Sequence, residues 1–200
     1  MSKTKIEWAD VVWNPVTGCT PISPGCENCY AKRMAQRLRG RCGYPSDEPF
    51  RVTLHPERLI EPLRWKKPRR VFVCSMGDLF HEDVPDEFIY DIWDVMVLNR
   101  QHTFLLLTKR PTRMKKFIEK VMANRIDYAY TLGNTQEGKK LREWARTPVS
   151  NIWLGVTAEN QEQADKRIPI LLQIPAAVRF VSVEPMLGPV DLSKYLTCQF

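Results

Sequence analysis

Hydrophobic and polar positions alternate between two rhythms along this chain. Residues 6–13 (IEWADVVW) read as a strand rich in β-branched and aromatic residues, and Asn14-Pro15 ends it. From Cys26 to about Leu38 the rhythm turns helical, with Tyr30, Met34 and Leu38 on one stripe and Lys32, Arg33, Arg37 and Arg39 on the other faces. Residues 40–65 carry Gly40, Gly43, Pro45, Pro49, Pro56 and Pro62, which predicts an irregular insertion with one short helix over 56–63. Residues 71–75 (VFVCS) then form a continuous apolar run, as expected of a strand buried on both faces of a parallel sheet. After the turn 76–80, Asp83-Val84-Pro85-Asp86-Glu87 predicts a helix start capped by Asp83, with Phe88, Ile92, Val95 and Met96 on its apolar side.

The cycle repeats. Residues 103–108 are a strand, Lys109-Arg110-Pro111 the turn, and Met114, Phe117, Ile118, Val121 and Met122 mark a helix. Residues 125–150 read as a polar, Gly-containing insertion. Residues 152–157 are a fourth strand, followed by a helix through Ala164, Ile168 and Leu171. Residues 178–183 are a fifth, with Glu184-Pro185 just past its end. Apolar strands alternating with helices predict an α/β chain with a parallel sheet and right-handed crossovers. Five strands are too few for a closed eight-stranded barrel. The expectation is a single domain over 1–200: a partial (β/α) barrel of about five to six parallel strands. The chain stops soon after strand five, so either residues 196–200 close the sheet or the natural product is longer.

In such folds the site lies at the carboxyl ends of the strands. Here those ends carry a cysteine loop, Ser75 with Gly77 and Asp78, Thr108 with Lys109 and Arg110, Thr157 with Glu159 and Asn160, and Ser182 with Glu184. Lys109 and Arg110 suit a carboxylate or phosphate, or a solvated pair at a helix start. Glu159 and Asn160 suit ribose hydroxyls, or a cap for the next helix. His81 is expected to pack near the turn after strand two, and His55 and His102 to lie on the surface. Cys74 is expected to be a small core residue within its strand. Trp65, beside the basic run 66–70, is a candidate for stacking on a base or for a solvated linker.

The net charge of +7 suits an anionic partner such as nucleic acid. No window reaches the roughly 18 apolar residues of a membrane span. The N-terminus lacks the apolar stretch of a signal peptide. A reducing, cytoplasmic setting is therefore expected, in which clustered cysteines act as ligands or redox groups rather than disulfides. Of six cysteines, Cys19, Cys26 and Cys29 cluster as C-x6-C-x2-C, while Cys42, Cys74 and Cys198 are scattered. Three thiolates fit an iron–sulfur cluster with one open iron. They also fit zinc with a fourth ligand from His55, His81, Cys42 or Cys74. A redox C-x-x-C or unliganded structural cysteines stay open as well.

Several stretches carry a resemblance. They are Trp13-Asn14-Pro15, Cys19-Thr20-Pro21-Ile22-Ser23, Gly25-Cys26-Glu27-Asn28-Cys29-Tyr30-Ala31, and Ser75-Met76-Gly77-Asp78-Leu79-Phe80-His81. Further along come Leu107-Thr108-Lys109-Arg110-Pro111, Gly155-Val156-Thr157-Ala158-Glu159-Asn160, and Val183-Glu184-Pro185-Met186-Leu187-Gly188. With these the chain resembles a phage and prophage three-cysteine-motif family related to the radical SAM superfamily, whose parent barrel is of the TIM type. The resemblance implies a 4Fe–4S cluster on Cys19, Cys26 and Cys29. It implies S-adenosylmethionine (SAM) as cofactor, with Ser75, Gly77, Asp78, Thr108, Lys109, Thr157, Glu159, Asn160 and Glu184 around it. It also implies a further strand and Gly-rich turn beyond residue 200. The spacing departs from the common C-x3-C-x2-C, and the aromatic usual before the last cysteine follows it as Tyr30. Two functions are expected: a SAM-dependent radical enzyme whose substrate includes nucleic acid as a candidate, or a non-catalytic, metal-stabilised module holding nucleic acid or a partner protein encoded nearby. A truncated, inactive remnant is a third reading.

Overall fold

The computed structural model describes Thr4, residues 6–131, Gly133 and residues 135–196. Cys198 and the rest of 197–200 lie outside the described residues, so the expected closing segment falls mostly there.

Among the described residues, seven strands and five α-helices follow in order. β1 is Val11–Trp13 and β2 Val16–Thr17. After the cysteine loop come α1 (Tyr30–Arg37) and β3 (Thr53–Leu54), which pairs antiparallel with β2. The main run is β4 (Arg70–Val73), α2 (Asp86–Leu98), β5 (Thr103–Thr108), α3 (Pro111–Thr131), α4 (Gln136–Ala145), β6 (Ile152–Thr157), α5 (Gln161–Leu172) and β7 (Val178–Ser182). Five strands form one parallel sheet in the order β1-β4-β5-β6-β7. The expected five-strand parallel α/β sheet is present. Among the described residues it is open, with β1 and β7 at its edges.

Strand order follows chain order without reversal, and right-handed crossovers then place every helix on one side. The register shows the consequence. Trp13, Val73, Leu106 and Leu154 align in one row, and Val11, Val71, Phe104 and Ile152 in another. Both rows are buried with Phe88, Ile92 and Met96 of α2, Met114, Phe117 and Ile118 of α3, and Ile168 and Leu171 of α5. The alternate positions Val12, Phe72, Leu105, Trp153 and Val178 face the other way. Val12, Trp153 and Val178 are only half-buried. The apolar run at 71–75 is thus packed by helices on one face only, not on two. Its other face forms the floor of a cleft.

Other expectations are corrected at their edges. Only Val11–Trp13 of the stretch 6–13 is strand; Asp10 accepts a hydrogen bond from the Arg70 amide at 2.7 Å, and Trp8 turns onto Phe72, with ring centroids 4.7 Å apart. Helix α1 starts at Tyr30 rather than Cys26, after a separate 3-10 turn at Pro24–Cys26. Pro85, not Asp83, is the N-cap of α2, and Asp86 and Glu87 occupy the first turn. The polar stretch 125–150 is largely helical: α3 runs on to Thr131 and α4 follows. Their buried positions include the small residues Ala129 and Ala145, too little apolar bulk for a strong helical rhythm. Region 40–65 is irregular, as expected, with 3-10 turns at Pro56–Arg58 and Pro62–Arg64. Trp65 is buried against the His102 ring at 5.6 Å and does not present a stacking face. Cys74 is a core residue but lies just past β4, with φ of 56°.

All three histidines are buried, His55 and His102 among them, against the surface expectation. Burial is the leading cause that holds each below the ordinary histidine value of 6.5. The native chain therefore binds fewer protons than the unfolded one. Stability should be full above about pH 6.5 and fall as the pH drops through the depressed native values, by up to about 1.4 kcal/mol per pH unit for each histidine. Urea unfolding followed between about pH 8 and pH 5 checks this. A midpoint that is flat until carboxylates titrate would contradict it.

Candidate functional site

The cysteine loop is threaded between two fixed backbones. Gly18 donates its amide to the Met76 carbonyl at 2.9 Å and pairs with Gly77 as an isolated bridge, while the Cys19 amide bonds the Phe50 carbonyl at 3.1 Å. Gly77 has no room for a side chain, since a Cβ there would meet the Gly18 carbonyl oxygen at 2.8 Å. The loop then makes its 3-10 turn at Pro24–Cys26, and Cys29 is the extended N-cap of α1. Cys19, Cys26 and Cys29 are all half-buried, and all line one cleft of about 910 Å³ on the open side of the sheet. Ser75, Gly77 and Asp78 after β4, Thr108 at the end of β5 with Lys109 and Arg110 after it, Thr157 at the end of β6, and Ser182 at the end of β7 with Glu184 after it line the same cleft.

Two cations reach the sulfurs. Arg110 Nη1 lies 3.3 Å from Cys19 Sγ, and Lys109 Nζ 3.7 Å from Cys26 Sγ. Each is held by acids. Arg110 bonds Asp78 at 3.3 Å and Glu82 at 3.0 Å, and also the Thr20 carbonyl and hydroxyl. Asp78 accepts from the Thr108 hydroxyl at 2.7 Å and from the amides of Phe80 and Lys109. Lys109 lies 3.5 Å from Glu159, which is fully buried and also takes Arg167 at 2.7 Å and the Ser23 hydroxyl. His81 Nε2 sits 2.8 Å from the Thr20 hydroxyl and braces the loop from behind.

The electrostatics follow. Burial, aided by the Asp78 charge, pushes the Cys19 thiol up to about 11 against the pull of Arg110. Burial also acts on Cys26, but backbone groups of Ile22 and Ser23 and the Lys109 ammonium outweigh it and hold that thiol below its ordinary value. Glu159 is likewise raised by burial, yet Ser23, Arg167 and Lys109 together keep it low. Buried Cys74 is pushed up to about 12 by desolvation.

Among the described residues, no three or more His, Cys, Asp and Glu side chains surround a single-ion position. A closed tetrahedral zinc site needs its ligands round one point. A cuboidal cluster offers a separate iron to each thiolate, so its ligands stand apart. The donor set of three half-exposed thiols around one cleft, with N–H groups aimed at two of them, fits such a cluster.

A family model described as "Protein of unknown function (DUF5131)" matches residues 3–197. The chain belongs to this family. Neither the curated proteins nor the solved structures give a match. No described helix of this family member is long and apolar enough to cross a membrane.

The site differs in detail from its sequence reading. Of the two readings of Asn160 the helix cap holds: its side chain caps α5 by accepting from the Gln163 amide at 2.9 Å, and it does not line the cleft. Glu159 lies behind the loop, bound to Ser23, Lys109 and Arg167. Asp78 is buried and stands at the centre of the Arg110 network. Sequence reasoning missed Asn14, whose Oδ1 accepts from the Ser75 hydroxyl at 3.2 Å and the Met76 amide at 3.0 Å. It also missed Ser23, Thr20 and Arg167. The Asn after β1 was legible only as a strand terminator, because its partners lie about sixty residues on.

Proposed function

We propose that this chain is an iron–sulfur enzyme of radical SAM type, with Cys19, Cys26 and Cys29 holding a 4Fe–4S cluster and SAM entering the cleft beside it. The observation that supports the reading is the convergence of the three thiols and the polar ends of β4, β5, β6 and β7 on one cleft. When bound, the cluster would supply the electron that splits a carbon–sulfur bond of SAM. The chain's own residues do the positioning. Arg110 and Lys109 hold N–H donors at two sulfurs, and Asp78, Glu82 and Glu159 hold those cations in place. Thr157, Ser182 and Glu184 line the cleft at the far strand ends, where they would meet the polar groups of SAM. Trp8 and Phe72 give the same cleft an aromatic floor.

Anaerobic reconstitution with iron and sulfide tests this. The expected product is brown, binds about four irons per chain, and releases 5′-deoxyadenosine from SAM on reduction. Single Cys19→Ser, Cys26→Ser and Cys29→Ser variants should each lose most of that iron. A colourless protein with one tightly held zinc overturns the proposal and leaves a metal-stabilised binding module.

A further inference from the structure

We infer that the cleft takes an unstacked base of a single-stranded nucleic acid, whose phosphates run over the basic face of α1. Between Glu27 and Asp47 the chain has no acid and five cations: Lys32, Arg33, Arg37, Arg39 and Arg41. That segment alone carries +5 of the chain's net +7. All five side chains are exposed, and none forms a salt bridge among the described residues. The rest of the chain sums to +2, with surface pairs such as Lys120 with Asp86, Lys166 with Glu162 and Lys194 with Asp165, although Lys66 and Lys67 form no salt bridge among the described residues either. An unbalanced basic helix of this kind attracts a polyanion.

The other face of the same helix belongs to the cleft. Tyr30, Ala31 and Met34 line it, so α1 is the wall between the basic surface and the cavity. A helix is about 10 Å across, comparable with the reach of a nucleotide from phosphate to base edge. Inside, the cleft is aromatic rather than cationic. Trp8, Tyr30, Phe50 and Phe72 line it, and Trp8 lies 6.3 Å from Phe180 on the neighbouring floor. Its two cations, Lys109 and Arg110, are already matched by Glu159, Asp78 and Glu82. The interior therefore suits a flat, uncharged group, and the phosphates stay outside. Aromatic platforms beside a basic track are how single strands are held. This ligand class rests on the reading that the cleft is the reacting site.

Fluorescence anisotropy of the full chain with a labelled single-stranded DNA of about 15 nucleotides tests it. Binding should weaken with salt, and Arg33→Gln with Arg37→Gln should lower the slope by about 0.7 per cation removed. Lys139→Gln with Lys140→Gln, on α4 behind the sheet, should leave the slope unchanged. One abasic position should weaken binding about tenfold, and Trp8→Leu should abolish that difference. Equal effects of the two cation pairs, or no abasic effect, overturn the inference. Competition by polyglutamate as strong as by DNA also overturns it, in favour of an acidic protein segment. Iron uptake by the same preparations separates the two readings. Base-dependent binding without iron uptake removes the cluster and keeps the ligand class; iron uptake without base-dependent binding does the reverse.

Discussion

Gly18→Ala should be the most damaging single methyl that can be added to this chain. Gly18 has φ of 84°, in the left-handed region where a side chain is strained. It is also enclosed. A Cβ there would lie 2.1 Å from the Arg51 carbonyl oxygen and 2.7 Å from that of Phe50, both backbone atoms with no rotamer to escape into. On the other side the Gly18 amide is tied to Met76. The loop would have to leave its slot, and Cys19 would leave with it. Strain and overlap together should cost about 3 kcal/mol or more. Gly133 provides the comparison: its φ is 61°, but nothing lies within 4 Å of its Cβ position. Gly133→Ala should therefore cost only about 1 kcal/mol. Urea midpoints of the two variants check the difference, and Gly18→Ala should also take up far less iron on reconstitution. Equal midpoints would mean that the slot is not rigid.

The reach of the sequence can be judged at such positions. The four strands β4 to β7 were legible because each is an apolar run ended by a polar or charged residue, and that pattern needs no partner to be seen. The cysteine loop was legible for the same local reason. Covering of both sheet faces was not. Phe72, Leu105 and Trp153 are as apolar as the core rows beside them, and periodicity cannot tell a cleft floor from a core. Helix α4 was missed because its packing uses Gly138 and Ala145, which carry little hydrophobic signal. The clamps were missed through distance along the chain. Arg110 and Cys19 stand 91 residues apart, and Ser23 and Glu159 stand 136 apart. A basic pair at a strand end suggested an anion, and the anions proved to be the protein's own carboxylates, Glu159, Asp78 and Glu82.

Arg110→Met should therefore damage the loop and the fold together. The Arg110 side chain is nearly buried and joins four residues of the site: Cys19 and Thr20 in the loop, Asp78 after β4, and Glu82 in the next turn. Removing it leaves the buried Asp78 carboxylate without its cation, a loss of about 3 kcal/mol by the behaviour of other buried pairs. Lys109→Met should cost less, because that side chain is more exposed and Glu159 keeps Arg167. Arg110→Lys separates charge from geometry. One ammonium can satisfy Asp78 but cannot reproduce the guanidinium fork that spans Glu82, Thr20 and Cys19 at once. It should recover much of the stability in urea and little of the iron uptake. Full iron uptake by Arg110→Met would show that Arg110 supports the fold alone. Loss of iron in both variants, with stability restored in one, would mark Arg110 as the residue that sets the position of Cys19.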